Sequence, residues 1–297
     1  MDTLTNATDQ KDFESSWRRI STHFDTLFTT EHSIDRLKQT ILQLAVMGKL
    51  VPQNPEDEPA SELLKRIGEE KSKLIKEGKI KKQSPLPEIG EDEKPYGLPV
   101  GWKFIRLGEI VNRIGSGSTP KEGYSDDRNS GIIFLRSQNI WNNGLELNDV
   151  AYISKDTHKK MSNTIVYPND ILLNITGASL GRSTIYPSDL KEANVSQHVT
   201  IIRPTLETIK FYLHLCILSP YSQNLVWSRQ VGMAREGLSK KVLELFEIPI
   251  PPLAEQHRIV AKVEELFVLC DGLKDRINQA QVTQLNLATA LVEGAVG

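Results

Sequence analysis

Four polar stretches between Ile114 and His198 carry the residue types that could do chemistry. The first is Ile114-Gly115-Ser116-Gly117-Ser118-Thr119-Pro120, where Gly-Ser-Gly would let backbone approach a phosphate closely. No Gly-Lys-Ser/Thr follows, so it is not a nucleotide loop. The second, Arg136-Ser137-Gln138-Asn139-Ile140-Trp141-Asn142-Asn143, comes straight after an apolar run. Arg reads guanine edges, Gln and Asn read adenine edges, and Trp can wedge or stack. The bland reading is a polar hairpin turn, with Arg136 in a strand-end salt bridge. The third runs from Asn174 to Ser183, and its Gly177 and Gly181 have a Walker-like spacing. Arg182 stands where that loop needs Lys, which argues against ATP. The fourth is Asn194-Val195-Ser196-Gln197-His198, and a basic stretch, Gly232 to Lys241, follows later.

Catalytic chemistry finds no foothold in these residue types. Asn54-Pro55-Glu56-Asp57 lacks the second proline and the aromatic of an amino-methyltransferase motif. No strand-linked glycine-rich S-adenosylmethionine loop and no Glu-x-Lys nuclease cluster behind a Pro-Asp is found. The six histidines show no ligand spacing with Cys or carboxylates, so no metal site is assigned. His198 lies near Ser196, but no carboxylate orients it, so no catalytic residue is assigned.

The totals describe a chain of 297 residues, 25% charged and 39% hydrophobic, which fits one or two ordinary soluble domains. No apolar run approaches the ~20 residues of a membrane span, and the polar N-terminus does not read as a signal peptide. Cys216 and Cys270 sit in apolar helical contexts and read as core thiols. The expected compartment is the cytoplasm. The net charge of −2 excludes a polybasic binder, although residues 101–250 carry 17 Lys+Arg against 14 Asp+Glu. Loops would have to supply any positive field locally.

The elements that must position these loops fall into an α+β plan. After Ile248-Pro249-Ile250-Pro251-Pro252 the prolines stop and a helical pattern starts. Ile259, Val263, Leu266, Cys270, Leu273, Ile277, Ala280, Gln284, Leu287 and Leu291 follow at spacings of four and three. That is a heptad seam, and about 38 residues would make a rod of roughly 55–60 Å. A second run, Ile20, Phe24, Leu27, Ile34, Leu37, Ile41 and Leu44, lies near the other end. Ser33 is its expected N-cap after the break at Glu31, and Gly48 its end. Residues 1–16 read as loosely attached. A short helix should start at Ser61, leading into lysines from Lys71 to Lys82 that read as a solvated face or a phosphate contact. Strands are expected at Lys103–Leu107, Ile132–Arg136, Asp170–Ile175, Ser183–Tyr186 and Val199–Arg203. A helix is expected at Glu207–Leu218 with Phe211, Leu215 and Leu218 on one face, and another from Pro220. The expected divisions are 1–50, a linker region 51–97, a mixed domain 98–250, and a long helix 251–297.

Five segments give the chain its likeness to a known family. They are Leu98-Pro99-x-Gly101-Trp102 with Leu107-Gly108-Glu109; Phe134-Leu135-Arg136; Asp170-Ile171-Leu172 with Thr176-Gly177-Ala178 and Gly181-Arg182; Ser196-Gln197-His198; and Ile248-Pro249-x-Pro251-Pro252-Leu253-x-Glu255-Gln256-x-x-Ile259-Val260. With these, the chain resembles the specificity (S) subunit of type I restriction–modification systems. Leu37 to Gln53 is similar to the helix that leaves one repeat of that family for the next. The resemblance implies a target recognition domain reading half of a split DNA sequence, with long helices setting the gap between half-sites. It also implies a non-catalytic chain without its own cofactor. Modification subunits would bring S-adenosylmethionine, and restriction subunits would add ATP- and Mg-dependent translocation and cleavage.

A full S subunit has two recognition domains, whereas this sequence has one, so it resembles the half-length form. The two apolar seams, 20–47 and 255–292, would be satisfied by a homodimer on a palindromic, interrupted double-stranded target. The rival arrangement is a monomer whose two helices pair internally. By this resemblance Arg136, Gln138 and Asn139 are expected at base edges, with Ser196, Gln197 and Arg235 as secondary candidates. Ser118, Thr119, Arg182, Lys240 and Lys241 are expected at phosphates. Ser137 and Ser179 complete the DNA-binding candidates. A protein-interaction scaffold without DNA recognition is the alternative that near-neutral charge permits.

Overall fold

The computed structural model describes residues 2–6, 10–125, 131–229 and 237–296. The N-terminal part is helical: α1 (Asp2–Thr5), α2 (Gln10–Thr22), α3 (Phe24–Leu27) and α4 (Glu31–Val46). The stretch expected to be loose is therefore folded where described, and Leu4 is buried with Ile20 and Leu44. The N-cap of α4 is Thr30, not Ser33. Thr30 Oγ1 accepts from the Ser33 N–H while Ser33 Oγ accepts from the Thr30 N–H, a reciprocal box. Gly48 ends the helix at φ +69°, as a C-terminal glycine should.

The helix from Ala60 is not short: α5 spans Ala60–Lys76 and buries Leu63 and Ile67. Its Lys71 is spent inside the protein. Its Nζ donates to the carbonyl oxygens of Gly108 and Glu109, and burial pushes its pKa down.

The remaining elements, in chain order, are β1 (Lys103–Arg106), α6 (Leu107–Ile110), β2 (Val111–Ser116), β3 (Ile132–Leu135), β4 (Ile140–Trp141), β5 (Gly144–Leu145) and β6 (Ala151–Ile153). Then come α7 (Lys155–Lys160), β7 (Ile165–Val166), β8 (Ile171–Asn174), β9 (Ser183–Ile185), β10 (Ala193–Val195) and β11 (Val199–Pro204). The chain closes with α8 (Lys210–Leu218), α9 (Pro220–Ser228), α10 (Lys240–Glu244), β12 (Glu247–Ile250) and α11 (Leu253–Val296). All five expected strands are present. β12 was hidden by Pro249 within it and the prolines that follow; it pairs with β1 in a two-stranded sheet.

Two four-stranded sheets make the domain, in the orders β6-β3-β10-β7 and β2-β11-β8-β9. Only the β10–β3 pair is parallel among the described strands. β8 and β11 are buried almost along their whole length, which explains their continuous apolar runs. In α8 the buried face is Tyr212, Leu213, Cys216, Ile217 and Leu218, while Phe211 is exposed, so the expected face is rotated. β9, α11, α9 and α4 all pack against α8, which accounts for the broader face.

The long helix α11 lies along α4 in antiparallel fashion. Lys38 Nζ sits 2.5 Å from Asp271 Oδ1, and Lys274 Nζ 2.8 Å from Asp35 Oδ1. Ile259, Val263 and Cys270 are buried in this contact region. The proximal seam thus has an internal partner, whereas Leu287 and Leu291 lie exposed.

Candidate nucleic-acid interface

Strand register brings the polar stretches to one end of the two sheets. On the first sheet, Leu135 at the end of β3 lies beside Val195 at the end of β10. On the second, Ser116 ending β2 faces Thr200 near the start of β11, and Asn174 ending β8 faces Val199. Leu173 faces Ser183, the start of β9. The loops leaving these ends are therefore neighbours.

Hydrogen bonds lock them to one another. Gly117 N–H donates to the Val199 carbonyl at 3.0 Å and Ser118 N–H to the Val195 carbonyl at 3.2 Å. Ser196 N–H donates to the Leu135 carbonyl and Ile175 N–H to the His198 carbonyl. Asn174 Nδ2 donates to the Ser137 carbonyl at 2.8 Å, and Ser183 N–H to Asn142 Oδ1 at 3.0 Å. Leu238 N–H donates to the Ile175 carbonyl, which places the start of the Lys240–Lys241 helix at the same edge.

The Gly-Ser-Gly stretch has a different purpose from the expected one. Gly115 lies within β2, and a Cβ on Gly117 would meet the Val195 carbonyl oxygen at 1.8 Å. Gly117 is required for this loop-on-loop packing. Asn139 is also a brace: it is buried, donates to the carbonyls of Glu146 and Asp149, and accepts the Arg136 N–H. Ser196 is buried too, with its hydroxyl unpartnered.

Other candidates do face outward. Gln138, Gln197, Thr119, Lys240 and Lys241 are exposed, and Ser118, Ser137 and Ser179 are half-buried. Arg235 lies outside the described residues. Arg136 Nη2 lies 3.2 Å from Asp149 Oδ1, the strand-end salt bridge that its bland reading anticipates, and the guanidinium lies over the Tyr124 ring. Gln138 Nε2 donates to the other Asp149 oxygen. The Arg182 guanidinium stacks 3.7 Å from the centre of the exposed Trp141 ring.

A second polar chain crosses three loops. Thr119 Oγ1 donates to Gln197 Oε1 at 2.8 Å, Gln197 Nε2 reaches His198 Nε2 at 3.4 Å, and His198 Nδ1 lies 2.7 Å from Thr176 Oγ1. Thr176, His198 and Asp149 were not among the expected contact residues. Thr176 and His198 lay inside quoted motifs, whereas Asp149, thirteen residues beyond Arg136, had no local signal. Among the described residues no cluster of His, Cys, Asp and Glu is placed to hold a metal ion. Among them, too, no helix is long and apolar enough to cross a membrane.

The edge is thus a polar surface, cross-braced by hydrogen bonds and built from irregular backbone on two sheets. Such a surface can offer hydrogen bonds to base edges and phosphates.

A family model for the type I restriction modification DNA specificity domain matches residues 99–281. The type I restriction enzyme EcoAI specificity subunit of Escherichia coli is 42% identical over 302 residues, covering 99% of this chain and 50% of its own. The EcoEI specificity subunit, also from Escherichia coli, is 38% identical over 310 residues with the same coverage. The chain spans about half the length of these curated relatives. A solved chain from a type I R-M system superposes with a TM-score of 0.52 at 21% identity, over 93% of this chain and 57% of that one. That likeness concerns the fold.

Proposed function

This chain belongs to the type I restriction–modification DNA specificity domain family, and on that premise we propose that its loop-bearing edge reads one half of a bipartite duplex target. The helical part, α4 with α11, sets the distance to a second reading head and offers the surface on which modification (methyltransferase) subunits dock. The chain itself performs no bond-making step. S-adenosylmethionine, ATP and magnesium would be carried by modification and restriction subunits in the cytoplasm. The second head is contributed by another copy of this chain.

One observation carries the reading of the edge. Loops from β2, β3, β8, β10 and the approach to α10 converge and interlock at one end of the sheets. A fold that needed only a stable core has no reason to gather Arg136, Gln138, Arg182 and Gln197 there. Methylome sequencing of a host carrying this chain with its modification partner is the test. The expected result is one methylated, interrupted motif that disappears when the chain is deleted. No chain-dependent methylation would overturn the proposal.

A further inference from the structure

Asp149 is an acidic residue in the middle of a surface assigned to a polyanion. Its side chain is 74% exposed. Even so, both carboxylate oxygens are engaged, and by the very donors suited to reading bases. Arg136 Nη2 donates to Oδ1 at 3.2 Å and to the Asp149 carbonyl at 2.9 Å, while Gln138 Nε2 donates to Oδ2. Asn139 Nδ2 holds the same carbonyl at 3.0 Å, which fixes the backbone beneath the carboxylate. The Tyr124 ring supports the guanidinium, its centroid 5.3 Å away.

Two physical effects follow. The carboxylate cancels the Arg136 charge and repels phosphate, so it weakens the sequence-independent attraction that dominates non-specific binding. The carboxylate side of the pair is open to solvent, 74% exposed against 21% for Arg136, so the carboxylate can be exchanged for another acceptor. A guanine edge offers two acceptors, N7 and O6, in fixed geometry, which can replace both carboxylate contacts together. A base lacking that pattern cannot, and leaves Asp149 in place as an unfavourable neighbour of the duplex.

We propose that Asp149 is a specificity-determining residue, whose carboxylate occupies Arg136 and Gln138 off target and suppresses binding to non-cognate duplex. This rests on the assignment of the loop edge as the DNA-reading surface. Discrimination here comes from a built-in competitor as well as from attraction to the right sequence.

The test compares the full-length wild-type chain with Asp149→Asn and Asp149→Ala, each alone and with the modification subunit. Affinity for an unselected random duplex pool is measured against salt, and the motif enriched by repeated selection is sequenced. Both variants should bind the unselected pool about 3–10-fold more tightly, and their enriched motif should lose discrimination at one or two base pairs. In an Arg136→Ala background the gain should shrink, because the carboxylate then has only Gln138 to occupy. A wild-type motif retained by both variants, with unchanged or weaker pool affinity, overturns the role of Asp149 alone. A wild-type chain that enriches no motif overturns the reading edge and this proposal with it.

Discussion

The Trp102 indole N–H donates to Glu255 Oε2 at 3.0 Å, and Gln53 Nε2 donates to the other oxygen at 3.1 Å. One buried carboxylate therefore joins the entry to β1, the segment leaving α4 and the first turn of α11. Glu255→Ala would strand the buried Trp102 donor. The expected loss is about 1–3 kcal/mol in urea unfolding.

The same carboxyl has a pH signature. Burial pushes the Glu255 pKa up, so its ionised form is disfavoured in the folded state. Its contribution to stability is full below the unfolded value of about 4.3 and is lost as pH rises through the folded value. Glu255→Gln keeps an oxygen for Trp102 but does not titrate. The variant's stability relative to wild type should therefore improve as pH rises from about 4 to 7, followed by denaturant midpoints across that window.

Two other carboxylates have the opposite sign. A bidentate bond from Arg258 holds the Asp57 pKa down, and Arg106 does the same for Glu93. Their stabilisation is present above the unfolded values of about 3.9 and 4.3 and is lost as pH falls through the depressed folded values. Wild-type thermal midpoints should drop on that acid limb, and Glu93→Gln should flatten it. The buried partner Glu247 matters more, because it faces Arg106 at 2.6 Å and Arg229 at 2.9 Å. Glu247→Ala leaves Arg229 without this partner and Arg106 with Glu93 alone, and should cost about 3 kcal/mol.

These anchors show why much of the fold was legible from residue order. Trp102, Gln53 and Glu255 lie in three of the segments that carried the family likeness, and the structure joins them directly. The long helix was legible because a heptad stripe is a local periodicity. β12 was masked by Pro249 and Pro251, and β10 was too short to show alternation against its polar neighbours. The candidate edge was legible in residue type but not in role. Asn139 and Gly117 look like contacts in sequence and serve as braces, because burial and close approach are properties of loops meeting in space. Asp149 was invisible for the same reason.

On the edge itself, residues of the two roles should separate in binding assays. Arg136→Ala should weaken cognate binding by about 1–3 kcal/mol with little effect on random duplex. Lys241→Ala, at the exposed start of α10, should weaken both alike and reduce the salt slope by about one. Equal losses on cognate and scrambled duplex for Arg136→Ala would remove it from base reading.

The distal end of α11 is bare. At about 1.5 Å per residue, α4 with its 16 residues covers roughly 24 Å, whereas α11 with 44 extends roughly 66 Å. The shorter helix cannot cover the longer one, and the stripe that buries Ile259 and Val263 continues to Leu287 and Leu291, which are 61% and 65% exposed. Val282, Leu285 and Val292 are exposed too, on the opposite side of the helix. Burying one such side chain contributes about 1.5–3 kcal/mol, so Leu287 and Leu291 on each of two helices would favour pairing. A second copy would satisfy both bare ends at once by a two-fold axis. Light scattering at micromolar concentration should give a mass of twice 33.4 kDa. Leu287→Glu with Leu291→Glu should return one chain mass with an unchanged unfolding midpoint for the domain, since neither side chain belongs to its core. A wild-type mass of one chain would leave the internal α4–α11 pairing as the whole of the coiled coil.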